Sequence, residues 1–519
     1  MLWINTSPVD VFAALYAETH YRFPLFKFSR YYRRRPEIVV DLPRRAEGGI
    51  IPVTIIVKDA HKFPCRFVKP LDLEFYASGK SESRKLDLTD ELIDEPLWYK
   101  VREVELPPGK YSAQAKFYYA AGGKTWQAFN HNYPGLPFRP MILNAASQPL
   151  PKPAGYAAGD LHTHSVYTSD HVEYGAPLEA LSRTAKAMGL DFAAVTDHTY
   201  DMDDMPDDFL MNDTELTKWK SFQQEVSCIN RNDHNKYAWL IPGQEITARN
   251  SKNRNVHFLL LMDNRLFPGG GDSAEKWFRT WSEYSTTDLL DQKSPSALAA
   301  AAHPQVKPPF LQKYLLHRGV WEAQDLDHRL SALQIANGEG WREVERGLAF
   351  WQVALRQGYK PALWAGNDAH GNFNFFRQVG LPMWNLVQED HHIFGRWFTG
   401  IAAENSLTGI MAGLSQGATY ISDGPGIDLR VNGQLPGTTT PGGNLKIEAE
   451  LVSSAEFGQL SKAQAFIWDN GVLKVKPLSL TPDYYHKISF EEEINRGYVF
   501  LQVKTDTGGR AVSSAVFVA

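Results

Sequence analysis

Between residues 159 and 424 short apolar runs alternate with helix-patterned segments, and this constrains the fold more than any other feature of the chain. Residues 176–188 place Leu178, Leu181, Ala185 and Met188 at helical spacing, with Pro177 at the start and Gly189 at the stop. Residues 191–198 follow as a short apolar run with a polar end. The strand pattern recurs at 239–247, 256–262, 297–303, 332–337 and 361–368, and helices are expected at 216–229 and 341–356. Strand–helix alternation of this kind argues for an α/β architecture with a parallel sheet or barrel.

The flanks have another texture. Residues 50–59, 98–106 and 110–119 are rich in Val, Ile, Tyr and Phe, with turns marked by Pro107-Pro108-Gly109 and Gly122-Gly123. Near the other end Leu445, Ile447, Ala449 and Leu451 alternate with Lys446, Glu448 and Glu450, a period of two. At 519 residues the chain also exceeds the roughly 250–300 that one core organises. The expected division is a β-rich, sandwich-like domain over 1–150, a catalytic α/β domain over 151–424 and a second β-sandwich over 425–519. Residues 145–159, with Pro149, Pro151 and Pro153, read as an extended linker.

Composition narrows the function classes. A formal net charge of −5 gives no global attraction to nucleic acid or anionic membrane. Arg30, Arg33, Arg34 and Arg35 interleave with Tyr31 and Tyr32, a pattern able to bind single strands. Outside the catalytic region such a cluster reads as a surface or interdomain patch, so nucleic acid is not an expected partner. The two cysteines, Cys65 and Cys228, exclude a disulfide framework and a cysteine-rich zinc site, and both are expected to be buried. The N-terminus lacks a basic start followed by an apolar run, and no apolar run spans a bilayer. A cytoplasmic location is the default expectation.

Of the 16 histidines, His162, His164, His198, His257, His303 and His370 fall at or beside the ends of the central strands, with Glu245 and Asp368 in matching positions. In Gly159-Asp-Leu-His-Thr-His164, strand alternation turns Asp160, His162 and His164 to one face. Two imidazoles there can bind a metal, and Asp160 is placed to hold an imidazole N–H. Glu245 ends a strand, where a carboxylate can bridge two metals. His303 follows an alanine run and is fixed by Pro304. A single His-x-His is a weak signal; donors recurring on successive strand ends are a strong one.

The order Asp-Leu-His-Thr-His-Ser, Val-Thr-Asp-His, Gly-Gln-Glu, Val-His, Ala-Ala-His-Pro and Asn-Asp-Ala-His resembles the PHP (polymerase and histidinol phosphatase) family across about half the chain. The β-rich flanks and Tyr420-Ile-Ser-Asp-Gly-Pro are similar to its carbaryl-hydrolase-like branch. The resemblance implies a distorted (β/α)7 barrel with two or three divalent metal ions. His162, His164, Glu245 and Asp368 would hold one, Glu245, His257 and His303 a second, and Asp170, His198 and His370 a third. The family's aspartate usually comes sooner after the second histidine and precedes glycine; here Ser-Val-Tyr-Thr-Ser intervenes and His171 follows.

Nitrogen and oxygen donors suit zinc, manganese or iron. Such a centre activates water to hydroxide near neutral pH and clamps attacking and leaving oxygens. Asp368, His370 and Glu245 are the candidate catalytic residues. Phosphoester hydrolysis is the first expectation, with Arg249, Lys307 and Arg377 as candidate phosphate contacts. Carbamate, ester or amide hydrolysis is the alternative, and a non-catalytic metal- or ligand-binding module the third. Substrates are expected to be small molecules, and oligomeric state is left open. His391-His392 beside Glu389-Asp390 ends no recognisable strand and reads as a polar surface loop.

Overall fold

The computed structural model describes residues 34–519 other than 78, 90, 169–174, 206–207, 269, 271–279, 372 and 381–384. The N-terminal β pattern folds as two facing sheets. Glu37–Asp41, Ile50–Lys58 and Leu97–Glu105 form a three-stranded antiparallel sheet. Opposite it lies a seven-stranded sheet centred on Gly109–Ala121, whose residues alternate between buried and partly exposed as a one-sided strand must. Val53, Ile55 and Val57 from one sheet and Phe75, Ala115 and Phe117 from the other share one core, which also takes in Phe375 from far along the chain.

In the central region the strands are Tyr156–His164, Phe192–Val195, Trp239–Arg249, Asn255–Leu261, Leu298–Ala302, Ala332–Asn337, Ala362–Gly366 and Ala369–His370. They curl so that Tyr156–His164 pairs with Phe192–Val195 on one side and with Ala369–His370 and Phe398–Ala402 on the other. Each sheet face has its own core. Ala299 and Ala301 pack with Phe258 and Leu260, while Ala300 and Ala302 pack with Leu259 and Leu261. The alanine run is what a strand buried on both faces requires.

The expected (β/α)7 barrel is corrected by this topology. Strands account for 46% of the structure and helices for 15%, too few helices for regular alternation. The pairings Trp239–Arg249 with Asn255–Leu261 and Asn255–Leu261 with Leu298–Ala302 are antiparallel. The central strands belong to a 17-stranded mixed sheet that continues into the C-terminal strands, where Thr419–Ser422 pairs with Arg510–Ser513. The cause is local. Asn250 Oδ1 accepts from the backbone N–H groups of Lys252 and Arg254, and Asn253 takes a φ of 55°, closing a hairpin where a crossover helix would be needed.

The helices pack beside the central strands. Leu178–Met188 ends at Gly189, whose φ of 89° and N–H bonds to Ala185 and Lys186 make a left-handed cap. Trp341–Arg356 buries Val344, Leu348, Trp351 and Leu355. In Thr217–Ile229 the buried stripe is Trp219, Phe222, Val226 and Ile229; Cys228 falls off it and is exposed, contrary to expectation, whereas Cys65 is buried. C-terminally, Gly426–Val431, Gly443–Val452 and Tyr485–Ile494 form a three-stranded sheet packed against strands of the large sheet.

Arg30, Tyr31, Tyr32 and Arg33 lie outside the described residues, while Arg35 sits 4.3 Å over the Trp126 ring. Among the described residues no helix is long and apolar enough to cross a membrane.

Candidate metal centre

The strand ends bring His162, His164, His198, Glu245, His257, His303, Asp368 and His370 together. Their donor atoms fall into three overlapping groups: His162, His164, Glu245 and Asp368; Glu245, His257 and His303; and His164, His198 and His370. Asp170 lies outside the described residues, and in the third group His164 accompanies His198 and His370.

Register explains the convergence. His164 is the neighbour of His370 on adjacent parallel strands, and His198 bridges to Glu245. Thr247 pairs with His257, so Glu245, two residues earlier, shares that face. His303 and Asp368 sit just beyond their strands with φ of 30° and 51°, left-handed conformations that cost energy in non-glycine residues and mark functional sites. His303 N–H is held by Gln334 Oε1 at 2.9 Å, and Asp368 N–H by the His162 carbonyl at 2.8 Å.

Glu245, 1% exposed, is the hub. Its Oε1 lies 2.5 Å from His257 Nδ1, 3.3 Å from His303 Nε2 and 3.4 Å from His162 Nε2. Its Oε2 lies 2.9 Å from His198 Nδ1 and 3.5 Å from His164 Nε2. Asp368 Oδ1 is 3.0 Å from His164 Nε2 and 3.5 Å from both His162 Nε2 and His370 Nε2. Burial works to raise both carboxyls, but the surrounding imidazoles hold each well below the usual carboxylate range. Burial, then His370 and His198, holds His164 well below its ordinary value, and burial lowers His303. These two stay neutral, as ligand imidazoles must.

The surrounding network decides how His162 is oriented. Gln334 Oε1 faces the His303 backbone N–H, so it is the oxygen; its Nε2 donates to Ala336 O and Asn337 Oδ1. That oxygen lies 3.2 Å from His162 Nδ1, which therefore carries the proton. His162 Nε2 is left facing two carboxylates, buried and with hydrogen-bond geometry to neither. A lone pair aimed at two carboxylates demands a cation, and a metal ion fits the donor set. Without one only a proton can serve: burial works to lower the His162 pKa, but Glu245 and Asp368 raise it overall.

Gln334 thus does what was expected of Asp160. The Asp160 carboxylate, fully buried with its pKa pushed up to about 6 by that burial, accepts instead from the backbone N–H groups of His162, Asn367 and Gly395 and from Asn367 Nδ2. Asp197 plays a parallel part, accepting from Ser165 and Thr168, whose Oγ1 lies 3.3 Å from His164 Nδ1. Asn337 Nδ2 donates to Asp368 Oδ2 at 3.1 Å. A buried glutamine in the apolar run 332–337 was the available signal for Gln334.

A cavity of about 240 Å³ opens onto the centre, lined among others by His257, His303, Lys307, Arg318, Trp321 and Asp368. Lys307, a candidate phosphate contact, lies in the wall of this cavity. Arg249 does not line this cavity; it lies at a strand end with Nη2 3.4 Å from the Glu283 carbonyl. Arg377 is 2% exposed and offsets the buried carboxyl of Asp41. Arg318 and His392 were not expected at the cavity. Arg318 donates to His257 Nε2 at 2.7 Å. His392, expected in a surface loop, lines the cavity instead, its Nδ1 2.9 Å from the Asn367 carbonyl, with burial lowering its pKa to about 4. Neither showed a spacing signal.

No family model matches the chain, and no curated protein does. Among solved structures, a glycosyl hydrolase family 2 member from Bacteroides cellulosilyticus DSM 14838 aligns at 11% identity over 93% of this chain and 63% of its own, with a TM-score of 0.15. The Bacteroides uniformis beta-glucuronidase aligns at 9% identity over 93% and 60%, with a TM-score of 0.20. A Paenibacillus cycloisomaltooligosaccharide glucanotransferase gives 8%, 93% and 71%, with 0.19. The chain spans less than two thirds of the length of the first of these. TM-scores this low define no shared fold, and the functional reading rests on the site alone.

Proposed function

We propose that this chain is a metal-dependent hydrolase acting on small-molecule phosphoesters, with two or three divalent ions held by the three donor groups around Glu245. The observation that carries the proposal is the His162 imidazole, whose buried Nε2 lone pair faces Glu245 and Asp368. The motif order, which resembles the PHP family, agrees with it. Donors of nitrogen and oxygen without thiolate suit zinc, manganese or iron. When bound, such ions supply Lewis acidity and activate water. The protein's own part is to fix the imidazole tautomers, to keep the carboxylates ionised and to present cations to the substrate. Lys307 and Arg318 in the cavity wall favour an anionic group.

One observation favours a second reading, hydrolysis of carbamates, esters or amides. Val256, Val306, Val320 and Trp321 form an apolar side of the same cavity, suited to an uncharged aryl group. Protein stripped by chelation and reconstituted separately with zinc, manganese and iron is assayed against a phosphomonoester, a phosphodiester and an aryl carbamate. Metal-dependent turnover of a phosphoester is the expected result. Turnover of the carbamate alone transfers the site to the second reading, and turnover of none with any metal removes the hydrolase.

A further inference from the structure

A second cavity, of about 510 Å³, is lined in part by Asp390 and by Ile393 to Arg396, and by none of the donors of the metal centre. Its volume falls within the roughly 300–1,000 Å³ of small-molecule sites. The floor is apolar, made by Leu150, Met188, Leu190, Ile393, Phe394 and Phe398. The rim is charged, and most of its charges are already paired. Arg45 spans both oxygens of Glu456, at 3.1 and 2.9 Å, and also reaches Glu47 and the carbonyls of Met188 and Gln148. Arg44 pairs with Asp390 and donates to the Asn374 carbonyl. Asp423 accepts from Trp341 Nε1 at 2.8 Å and from the Arg510 N–H at 2.7 Å.

Arg396 is the exception. Its Nη1 donates to the carbonyls of Gly338 and Asp390, at 3.2 and 2.9 Å, while Nε and Nη2 have no hydrogen-bond partner among the described residues and feel Asp423 and Asp390 through charge alone. One unpaired edge of a guanidinium above an apolar floor matches a ligand with one anionic head and an apolar body. Asp390, Asp423 and Glu456 on the same rim repel anything carrying several negative charges. We propose that this cavity binds a small monocarboxylate with an apolar body, such as a medium-chain fatty acid, its carboxylate seated on Arg396. The site stands apart from the metal centre, yet the two share a wall. His392 lines the first cavity and the next residues, Ile393 to Arg396, line the second.

The full-length protein, labelled with ¹³C at its methionine methyl groups, is titrated with octanoate and, in parallel, with 1-octanol. Met188→Leu identifies the Met188 signal. The expected result is a saturable shift of the Met188 methyl with octanoate, and binding weakened about tenfold both in Arg396→Gln and for 1-octanol, the loss typical of a charged hydrogen bond. Arg396 is exposed, so its replacement leaves the core intact. A Met188 methyl unmoved by octanoate up to its solubility limit overturns the proposal. So does octanoate binding that neither the Arg396→Gln change nor loss of the carboxylate weakens.

Discussion

Arg318 Nη2 lies 2.7 Å from His257 Nε2, while the other nitrogen of the same ring lies 2.5 Å from Glu245 Oε1. Guanidinium only donates, so Nε2 accepts and the ring proton sits on Nδ1. A cation taken up through either nitrogen ends the Arg318 contact: one uses the accepting lone pair, the other leaves Nε2 protonated. Arg318 therefore competes with metal in the group of Glu245, His257 and His303. Arg318→Ala is expected to raise the zinc affinity of that group about tenfold, the worth of a charged hydrogen bond. Chelator competition measures it, and unchanged or weaker affinity would show that the two do not compete.

Glu245 belongs to two of the three donor groups, because its two oxygens face different sets of imidazoles. An amide of the same shape has one coordinating oxygen and no charge. Glu245→Gln is expected to lose metal from both groups together and to lower turnover by about a hundredfold or more, beyond what outer contacts usually contribute. Elemental analysis beside circular dichroism checks that metal goes while the fold stays. Full occupancy with near-normal turnover would refute the shared-carboxylate reading.

Gln334 holds both His162 Nδ1 and the His303 N–H through one oxygen. Gln334→Leu keeps similar bulk and removes both contacts. Metal affinity is expected to fall about 10–100-fold, as for other residues that orient ligand histidines. The stranded His303 N–H costs about 1–3 kcal/mol in a urea melt. Gln334→Glu, which retains an acceptor, should restore much of the metal affinity.

Glu339 lines the metal-centre cavity, and burial followed by Glu343 and Asp368 pushes its pKa up from 4.5 to about 7, against the lowering effect of Arg346. The unfolded chain therefore releases this proton first. Between pH 4.5 and about 7 the folded state binds more protons, so the group's contribution to stability falls as pH rises. In Glu339→Gln that contribution is absent, and the variant's melting temperature should decline less than the native protein's across this window. Parallel slopes would show that Glu339 titrates normally in the folded protein.

Cys65 is buried and its thiol is pushed up to about 12 by that burial, whereas Cys228 is exposed with Arg231 Nη2 3.0 Å from its sulfur. Iodoacetamide at neutral pH should add one label to the native protein, at Cys228, and a second only in denaturant. Peptide mass spectrometry locates the labels. Rapid native labelling of Cys65 would contradict the packing of the N-terminal sheets.

The central strands were legible because apolar runs bounded by polar residues survive any change of topology. Residues 332–337 and 341–356 fold as the strand and helix their periodicity describes. Topology was less legible. Asn250 to Arg254 carries the hairpin, but its turn chemistry is short-range and was outweighed by strand–helix alternation on either side. At the site, donors placed at strand ends could be read from spacing. Gln334, Arg318 and His392 could not, because each reaches the centre through tertiary contacts between distant segments.

The N-terminal sheets grip the chain just downstream of His370. Asn374 donates to the carbonyls of Leu42 and Ile142 and accepts from the Ile142 N–H, Phe375 sits in the N-terminal core, and Asp390 is clamped between Arg44 and Arg139. The segment from Asn374 to Asp390, which joins His370 to His392, is thus anchored at both ends in a part of the molecule that, among the described residues, supplies no donor to the metal centre. Loosening that anchor would free the chain on either side of it, His370 with its short pairing to His164 and His392 with its contact to the Asn367 carbonyl, while the long ladders of the large sheet stay intact. A lesion in the N-terminal strands would accordingly leave a protein that looks native in its backbone spectrum but has lost the placement of His370 and His392, a fault easily mistaken for damage at those residues themselves.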